Sequence, residues 1–171
     1  MGNLLFSPEG RISSAEFYRG GFILILIMTA LSMVNLVSPE IGKVTGLLAY
    51  LLLYPWVVIW IKRLHEGSKS GWMFLVYLLL YLILGTIGIL IVMIYFGDGN
   101  FMEMMMESIE GDLSEAELEA QMQGWAQSIT LPAAISGILT SLATMFIGDK
   151  TIPIDENDNQ YGPGADYSTF D

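Results

Sequence analysis

The sequence predicts an all-α membrane protein with four transmembrane helices and an external amphipathic helical segment between the third and the fourth. Three observations lead to this prediction. Hydrophobic residues make up 53% of the 171 residues and charged residues only 15%, a composition too apolar for a soluble protein. Four apolar runs, at 22–37, 44–61, 73–96 and 129–147, approach or exceed the roughly 20 residues that cross a hydrocarbon layer of about 30 Å. A short basic turn joins two of these runs, which is typical of an antiparallel helical hairpin.

The predicted transmembrane helices cover residues 17–37, 44–61, 72–96 and 129–147. Ser13 and Glu16 have the spacing of a capping box, which predicts that a helix begins there and continues as the first span. Pro55 should kink the second span, because proline has no backbone N–H for the helical hydrogen bond. Small residues recur every four positions in the fourth span and favour close helix packing. They form two rows: Ala133, Gly137, Ser141 and Ser136, Thr140, Thr144.

Residues 97–127 contain no lysine or arginine and are predicted to be an external acidic segment. Ser114 and Glu117 form a second capping box. Apolar residues then follow at helical spacing: Leu118, Met122, Trp125 and Ile129. This pattern predicts an amphipathic helix that lies on the membrane surface and runs toward the fourth span.

Four methionines lie upstream of that helix: Met102, Met104, Met105 and Met106. Thioethers outside the cytoplasm suit Cu(I), so a copper site is one reading of this group. An adaptable apolar face that packs on lipid or a partner is the more ordinary role for methionine. We therefore expect no metal and no other cofactor.

The turn between the second and third spans concentrates the cations of the chain. Lys62, Arg63 and Lys69 lie there, together with His65, the one histidine of the sequence. Cations are favoured at the C-terminus of a helix and on the cytoplasmic side of a membrane. We therefore expect this turn to lie in the cytoplasm.

The residues around the turn fit the same hairpin. Gly67 suits the left-handed residue that ends a helix, and Ser70 is predicted to be the N-cap of the next one. Three tryptophans flank the turn, and amphipathic indoles are enriched at the headgroup depth of a membrane. We expect all three at that depth: Trp56, Trp60 and Trp72.

Charge counting predicts the orientation of the chain. With the turn inside, six of the seven lysine and arginine residues lie on the cytoplasmic side: Arg11, Arg19, Lys62, Arg63, Lys69 and Lys150. Only Lys43 lies outside, so the positive-inside rule predicts that both termini are cytoplasmic. Residues 1–148 form the predicted four-span membrane domain. Residues 149–171 form a polar cytoplasmic tail, which is expected to be extended or disordered.

Three pieces of the sequence resemble one protein family. They are Lys-Arg-Leu-His-Glu (62–66) with Ser-Gly-Trp (70–72), Gly-Arg-Ile-Ser (10–13) with Glu-Phe (16–17), and Asn-Gln-Tyr-Gly (159–162). These pieces are similar to the signature elements of the DUF805 family of small bacterial inner-membrane proteins. Lys62 and Glu66 stand where that family usually has Arg and Asp, and an acidic segment and another apolar run precede the tail motif. The resemblance implies a topology and a location in the inner membrane, but no activity.

Composition narrows the function. The net charge of −11 argues against a nucleic-acid partner, and the absence of cysteine excludes thiolate chemistry. The four apolar runs carry no charged residue, whereas pumps and coupled transporters usually place such residues inside the membrane. We expect a non-enzymatic scaffold or accessory subunit that binds membrane lipids, and either a larger membrane protein complex or further copies of itself. The alternatives are a small oligomeric transporter or channel, and an enzyme that uses His65.

The basic turn is the candidate binding site. Lys62, Arg63 and Lys69 are expected to bind an anionic lipid headgroup or a similar ligand, together with His65 and Arg11. The alternative is that these cations only set the topology. Two roles are open for Arg11, contact with headgroups and an ion pair with the turn. A single histidine without a paired acid or base is more typical of a structural hydrogen bond than of catalysis.

Overall fold

The computed structural model describes residues 2–97, 100–110 and 114–163. Within these ranges the chain is helical, apart from short connections and one isolated bridge between Asn159 and Gly162. The α-helices are α1 (Gly2–Phe6), α2 (Ser14–Val37), α3 (Pro39–Leu51), α4 (Leu53–Glu66), α5 (Phe74–Phe96), α6 (Asn100–Glu110) and α7 (Glu115–Thr151). A short 3₁₀ helix, Gly71–Met73, precedes α5.

Four helical stretches are long and apolar enough to cross a membrane: Ser14–Val34, Val44–Glu66, Gly71–Phe96 and Glu115–Thr151. Each contains most or all of one predicted span. The prediction of an all-α membrane protein with four transmembrane helices is therefore confirmed. The two predicted capping boxes are also present, and each begins one of these helices.

The second stretch consists of two helices rather than one. α3 ends at Leu51 and α4 begins at Leu53, and the N–H of Leu52 donates to the carbonyl of Ala49 at 3.1 Å. Pro55 explains the position of this break, because it has no N–H to donate to the carbonyl of Leu51. The predicted kink is thus an interruption of the helix in the turn before the proline.

The segment between the third and fourth spans differs from the prediction. The apolar stripe that should lie on a surface helix belongs instead to α7, which continues through Pro132 into the fourth span. Membrane helices tolerate proline in this way. At 1.5 Å per residue, the 37 residues of α7 are about 55 Å long, more than the hydrocarbon layer requires. A separate amphipathic surface helix is therefore not confirmed. α6 packs on α7 through Phe101, whose ring lies 4.5 Å from that of Trp125.

Trp60 is the centre of the core, so its indole faces other helices, while its depth in the membrane stays a prediction. Its side chain is 1% exposed, stacks on Tyr77 at 4.8 Å and meets the ring of Phe17 edge-on at 4.9 Å. Gly148 of α7 makes this packing possible, because a Cβ there would lie 2.4 Å from the indole. Aromatic partners from α2 and α5, together with the glycine of α7, thus bury the indole. Trp72, by contrast, is 81% exposed.

The two small-residue rows of α7 have different surroundings. Ser136 and Thr140 pack against α5, where a Cβ on Gly88 would lie 2.3 Å from the Oγ of Ser136. The row of Ala133, Gly137 and Ser141 faces α2 and α3 across a cavity. Of the two rows, the first therefore packs closely on α5, and the second borders the cavity.

Candidate functional site

Three segments that are far apart in the sequence meet at the basic turn. The N–H of Asp155 donates to the carbonyl of Glu66 at 3.1 Å, so the chain after α7 folds back onto the end of α4. Gly67 allows this approach, because a Cβ there would lie 2.8 Å from both Ile152 and the carbonyl oxygen of Pro153. The tail that was expected to be extended or disordered is non-helical over residues 152–163 and is packed against the turn. Residues 164–171 lie outside the described ranges.

Arg11 ties these segments together. Its Nε donates to a carboxylate oxygen of Glu66 at 2.8 Å, and the two side chains are 2% and 0% exposed. Its Nη1 donates to the carbonyl of Asn157 at 2.7 Å, and its Nη2 donates to the carbonyl of Asp155. One buried guanidinium thus links the amino-terminal arm, the turn and the tail. Of the two roles open for Arg11, the structure has the ion pair with the turn.

His65 contacts the amino-terminal arm and the tail. Its Nδ1 lies 3.1 Å from the carbonyl oxygen of Gly10, and its ring stacks on Tyr161 with centroids 3.6 Å apart. The carbonyl of His65 accepts a hydrogen bond from the Nδ2 of Asn159 at 3.0 Å. Because a carbonyl can only accept, Nδ1 carries the proton of the neutral ring. The histidine therefore connects the same three segments as Arg11.

Ser68 completes the contacts with the tail. It takes a left-handed φ of 55°, the role that the sequence predicted for Gly67, whose φ is −88°. Its hydroxyl donates to the carboxylate of Asp155 and accepts from the Nδ2 of Asn159 at 3.0 Å. The hydrogen bond from Ser68, followed by that from the backbone of Asn157, holds the pKa of the Asp155 carboxyl below its usual value. We call this set the polar cluster: Arg11, His65, Glu66, Ser68, Asp155, Asn159 and Tyr161.

The remaining cations of the predicted site have separate surroundings. Arg63 pairs with Asp149 at the end of α7 at 2.9 Å, with side chains 1% and 8% exposed. Its Nη1 is buried without a hydrogen-bond partner among the described residues. The Nζ of Lys62 donates to the carbonyl of Asn3 at 2.8 Å, and Lys69 is exposed. The structure therefore brings Arg11 and His65 into one cluster and leaves Lys69 on the surface. None of this tests lipid binding, which stays a prediction.

Sequence reasoning missed two acidic residues. Asp149 neutralises Arg63, and Asp155 joins the turn through Ser68. Asp149 had a visible signal, since it is a lone carboxylate at the end of the fourth span, on the same side of the membrane as Arg63. Asp155 had none, because five carboxylates lie between residues 155 and 171 and nothing local distinguishes it.

A second feature lies in the other part of the bundle, away from the polar cluster. An open cavity of about 570 Å³ is lined by α2, α3 and α7, with Tyr81 of α5 at one wall. We call this cavity the cleft. Small residues form much of its lining: Gly42, Gly46, Ala49, Ala126, Ala133, Ala134 and Gly137.

The fold and the site together define a multi-pass helical membrane protein whose turn is closed by its own amino-terminal arm and tail. A sequence model of the family described as "Protein of unknown function (DUF805)" matches residues 5–105. This is more than half of the 171 residues, and the chain belongs to the DUF805 family. The match covers the arm and the turn and ends before the tail segment that packs on them. No curated protein and no solved structure matches the chain.

Proposed function

We propose that this protein is a non-enzymatic scaffold or accessory subunit of the bacterial inner membrane, which interacts with other membrane proteins and with anionic lipid. One observation carries the proposal. The ionisable side chains that the turn gathers are engaged in holding segments of the chain itself, as Arg11 with Glu66 and Arg63 with Asp149 do. Groups used in this way stabilise a fold and are not placed to act on a substrate.

The contacts of His65 suit a structural role. Its Nδ1 is held by the carbonyl of Gly10, and its ring stacks on Tyr161 at 3.6 Å. A general base must reach the proton of a substrate, directly or through one water, and only Nε2 could do so here. A lone histidine with such contacts more often holds segments of the fold together.

The contacts at the turn also support the proposed orientation. Arg11, Glu66 and Asp155 meet at one end of the bundle, so the amino-terminal arm, the turn and the tail lie on one side of the membrane. The positive-inside rule assigns that side to the cytoplasm. Both termini are then cytoplasmic, and α6 lies on the outer side.

The proposed lipid contact is made by exposed residues of the turn. Lys69 is exposed there, three positions before Trp72, whose indole is also exposed. A cation beside an interfacial tryptophan suits the phosphate of an anionic headgroup, and each such charge near the surface is worth about 1 kcal/mol. The other cations of the site contact protein groups instead and thereby hold the turn in shape; they are Lys62 and the buried Arg11 and Arg63.

A second candidate function, a small oligomeric transporter or channel, is favoured by a specific feature. The second span is interrupted at Leu52, and broken helices beside a cavity are typical of transporter binding sites. Against this reading, the described lining of the cleft contains no ionisable side chain except the phenol of Tyr81. Coupled transporters usually expose such groups to their ions.

Native mass spectrometry of the protein, extracted from its own membrane in mild detergent, tests the proposal. We expect a stoichiometric partner or a defined oligomer, with retained anionic phospholipid. Lys69→Gln should reduce the retained lipid, whereas Lys43→Gln, which removes the same charge at the opposite end of the bundle, should not. A lipid-free monomer without any partner would overturn the proposal. Solute flux through liposomes that contain only this protein would favour the alternative.

A further inference from the structure

Two glycines of the cleft are not explained by the packing of this chain. A Cβ added at Gly46 or Gly137 would meet nothing within 4 Å. At Gly21 and Gly88, by contrast, an added Cβ would lie 2.1 Å from Met145 and 2.3 Å from Ser136. Glycine in a helix interior is less favourable than alanine by about 1 kcal/mol. Inside a bundle such glycines serve close packing, and at Gly46 and Gly137 no described part of the chain supplies it.

The inner end of the cleft carries hydroxyl groups that the chain leaves free. Ser141 is 8% exposed and lines the cavity, yet its hydroxyl has no hydrogen-bond partner in the described part of the chain. Tyr81 also lines the cavity, and its hydroxyl is likewise without a partner in the described ranges. At the other end, the hydroxyls of Thr45 and Thr130 donate to backbone carbonyls of their own helices. A free polar group in the membrane interior is costly, so the unpaired hydroxyls point to an occupant.

The position of these hydroxyls limits the chemistry of the occupant. Ser141 lies ten residues before the end of α7 at Thr151, which corresponds to about 15 Å along the helix and therefore to the middle of the hydrocarbon layer. The described residues that line the cleft carry no charge near neutral pH, so a charged ligand would have no counter-ion there.

The size of the cleft suits a small molecule. Ligand cavities typically measure about 300–1,000 Å³, and about 570 Å³ falls in this range. The other occupant that open glycines could accept is a helix of a second copy, and the experiment below distinguishes the two.

We propose that the cleft binds an uncharged amphiphile, a long-chain molecule whose hydroxyl or carbonyl oxygen pairs with Ser141 and Tyr81. The chain of the ligand lies along the small-residue face of α7, where Gly137 leaves room for it. This proposal stands independently of the scaffold role, because the cleft shares no residue with the polar cluster.

Photolabelling tests the proposal in the full-length protein. The probe is hexadecanol with a mid-chain diazirine, and hexadecane with the same diazirine is the matched probe without a hydroxyl. We expect saturable labelling of cleft residues by the alcohol, competition by unlabelled hexadecanol, and weak labelling by the hydrocarbon. Ser141→Ala should lower the labelling yield about five-fold, the effect of one hydrogen bond.

A pair of variants separates occupancy from folding. Gly137→Leu fills the cleft and should reduce the labelling at least ten-fold with an unchanged melting temperature, because its new side chain enters open space. Gly124→Leu is the control, since this glycine also borders open space on α7 but does not line the cleft. Equal labelling by the two probes would mean ordinary lipid contact and would overturn the proposal. So would unchanged labelling of Gly137→Leu, or an oligomer that only this variant disrupts.

Discussion

Replacement of Arg11 by glutamine tests whether the polar cluster holds the tail on the turn. The substitution removes the ion pair with Glu66 and the hydrogen bonds to the carbonyls of Asn157 and Asp155. Because the two side chains of the pair are 2% and 0% exposed, solvent does not screen the interaction. The ion pair joins the arm to the turn, and the two hydrogen bonds to carbonyls join the tail to the arm. Hydrogen bonds from a charged donor contribute about 1.5–3 kcal/mol each, so loss of both costs at least about 3 kcal/mol, which corresponds to roughly a hundred-fold increase in release of the tail.

Cysteine labelling measures this release, because the sequence contains no cysteine of its own. Ile152 is 4% exposed, so Ile152→Cys should react slowly with a maleimide while the tail is docked. Addition of Arg11→Gln should raise the labelling rate by up to about a hundred-fold, through more frequent local opening. Glu156→Cys provides the accessible control, since residue 156 is exposed and should react at the same rate in both backgrounds.

A charge control accompanies the same measurement. Arg19 is exposed, and surface substitutions usually change stability by no more than about 0.5 kcal/mol. Arg19→Gln should therefore leave the labelling of Ile152→Cys nearly unchanged. If Arg11→Gln and Arg19→Gln had the same small effect, the cluster would not be what retains the tail, and the argument from burial would be refuted.

Three further predictions follow from the topology and the turn. Reporter fusions within residues 98–125 should report an external location and fusions at both termini a cytoplasmic one; an external amino terminus would contradict the charge argument. Arg63→Ala should lower the melting temperature sharply, because it leaves a buried carboxylate without its cation, whereas His65→Gln should have a smaller effect; the reverse ranking would favour a catalytic histidine. The lowered pKa of Asp155 means that its ionised form favours docking of the tail. Docking should be complete above the usual aspartate pKa of about 3.9 and weaken as pH falls through the lowered one, and carboxylate NMR should show Ser68→Ala moving that titration upward. A titration that Ser68→Ala left in place would contradict this assignment.

Local patterns in the sequence were enough to predict the four membrane-spanning helices. The capping boxes at Ser13 and Ser114 depend on residues three positions apart, and they begin helices as expected. Hydrophobic length identified all four spans for the same reason, because a membrane demands roughly 20 apolar residues from each helix by itself. The break in the second span also follows from one residue, Pro55.

Contacts between distant residues could not be predicted in this way. Trp60 has the sequence position of an interfacial indole, and its burial depends on Phe17, Tyr77 and Gly148 from three other helices. The docking of Asp155 onto Glu66 joins residues 89 positions apart, between segments that each look polar and exposed. The hydrogen-bond acceptors that order these polar segments lie in distant parts of the chain, so the local sequence does not reveal them.

The links made by Arg11 also set an order for biosynthesis. Its acceptors at Asp155 and Asn157 lie 144 and 146 residues further along the chain. At about 5–20 residues per second, a ribosome reaches them roughly 7–30 s after Arg11 has been made. The four membrane helices have then already been translated, so the polar cluster can form only after all four spans have been made. A nascent chain that stops before residue 152 would carry all four spans and still lack the tail contacts of Arg11.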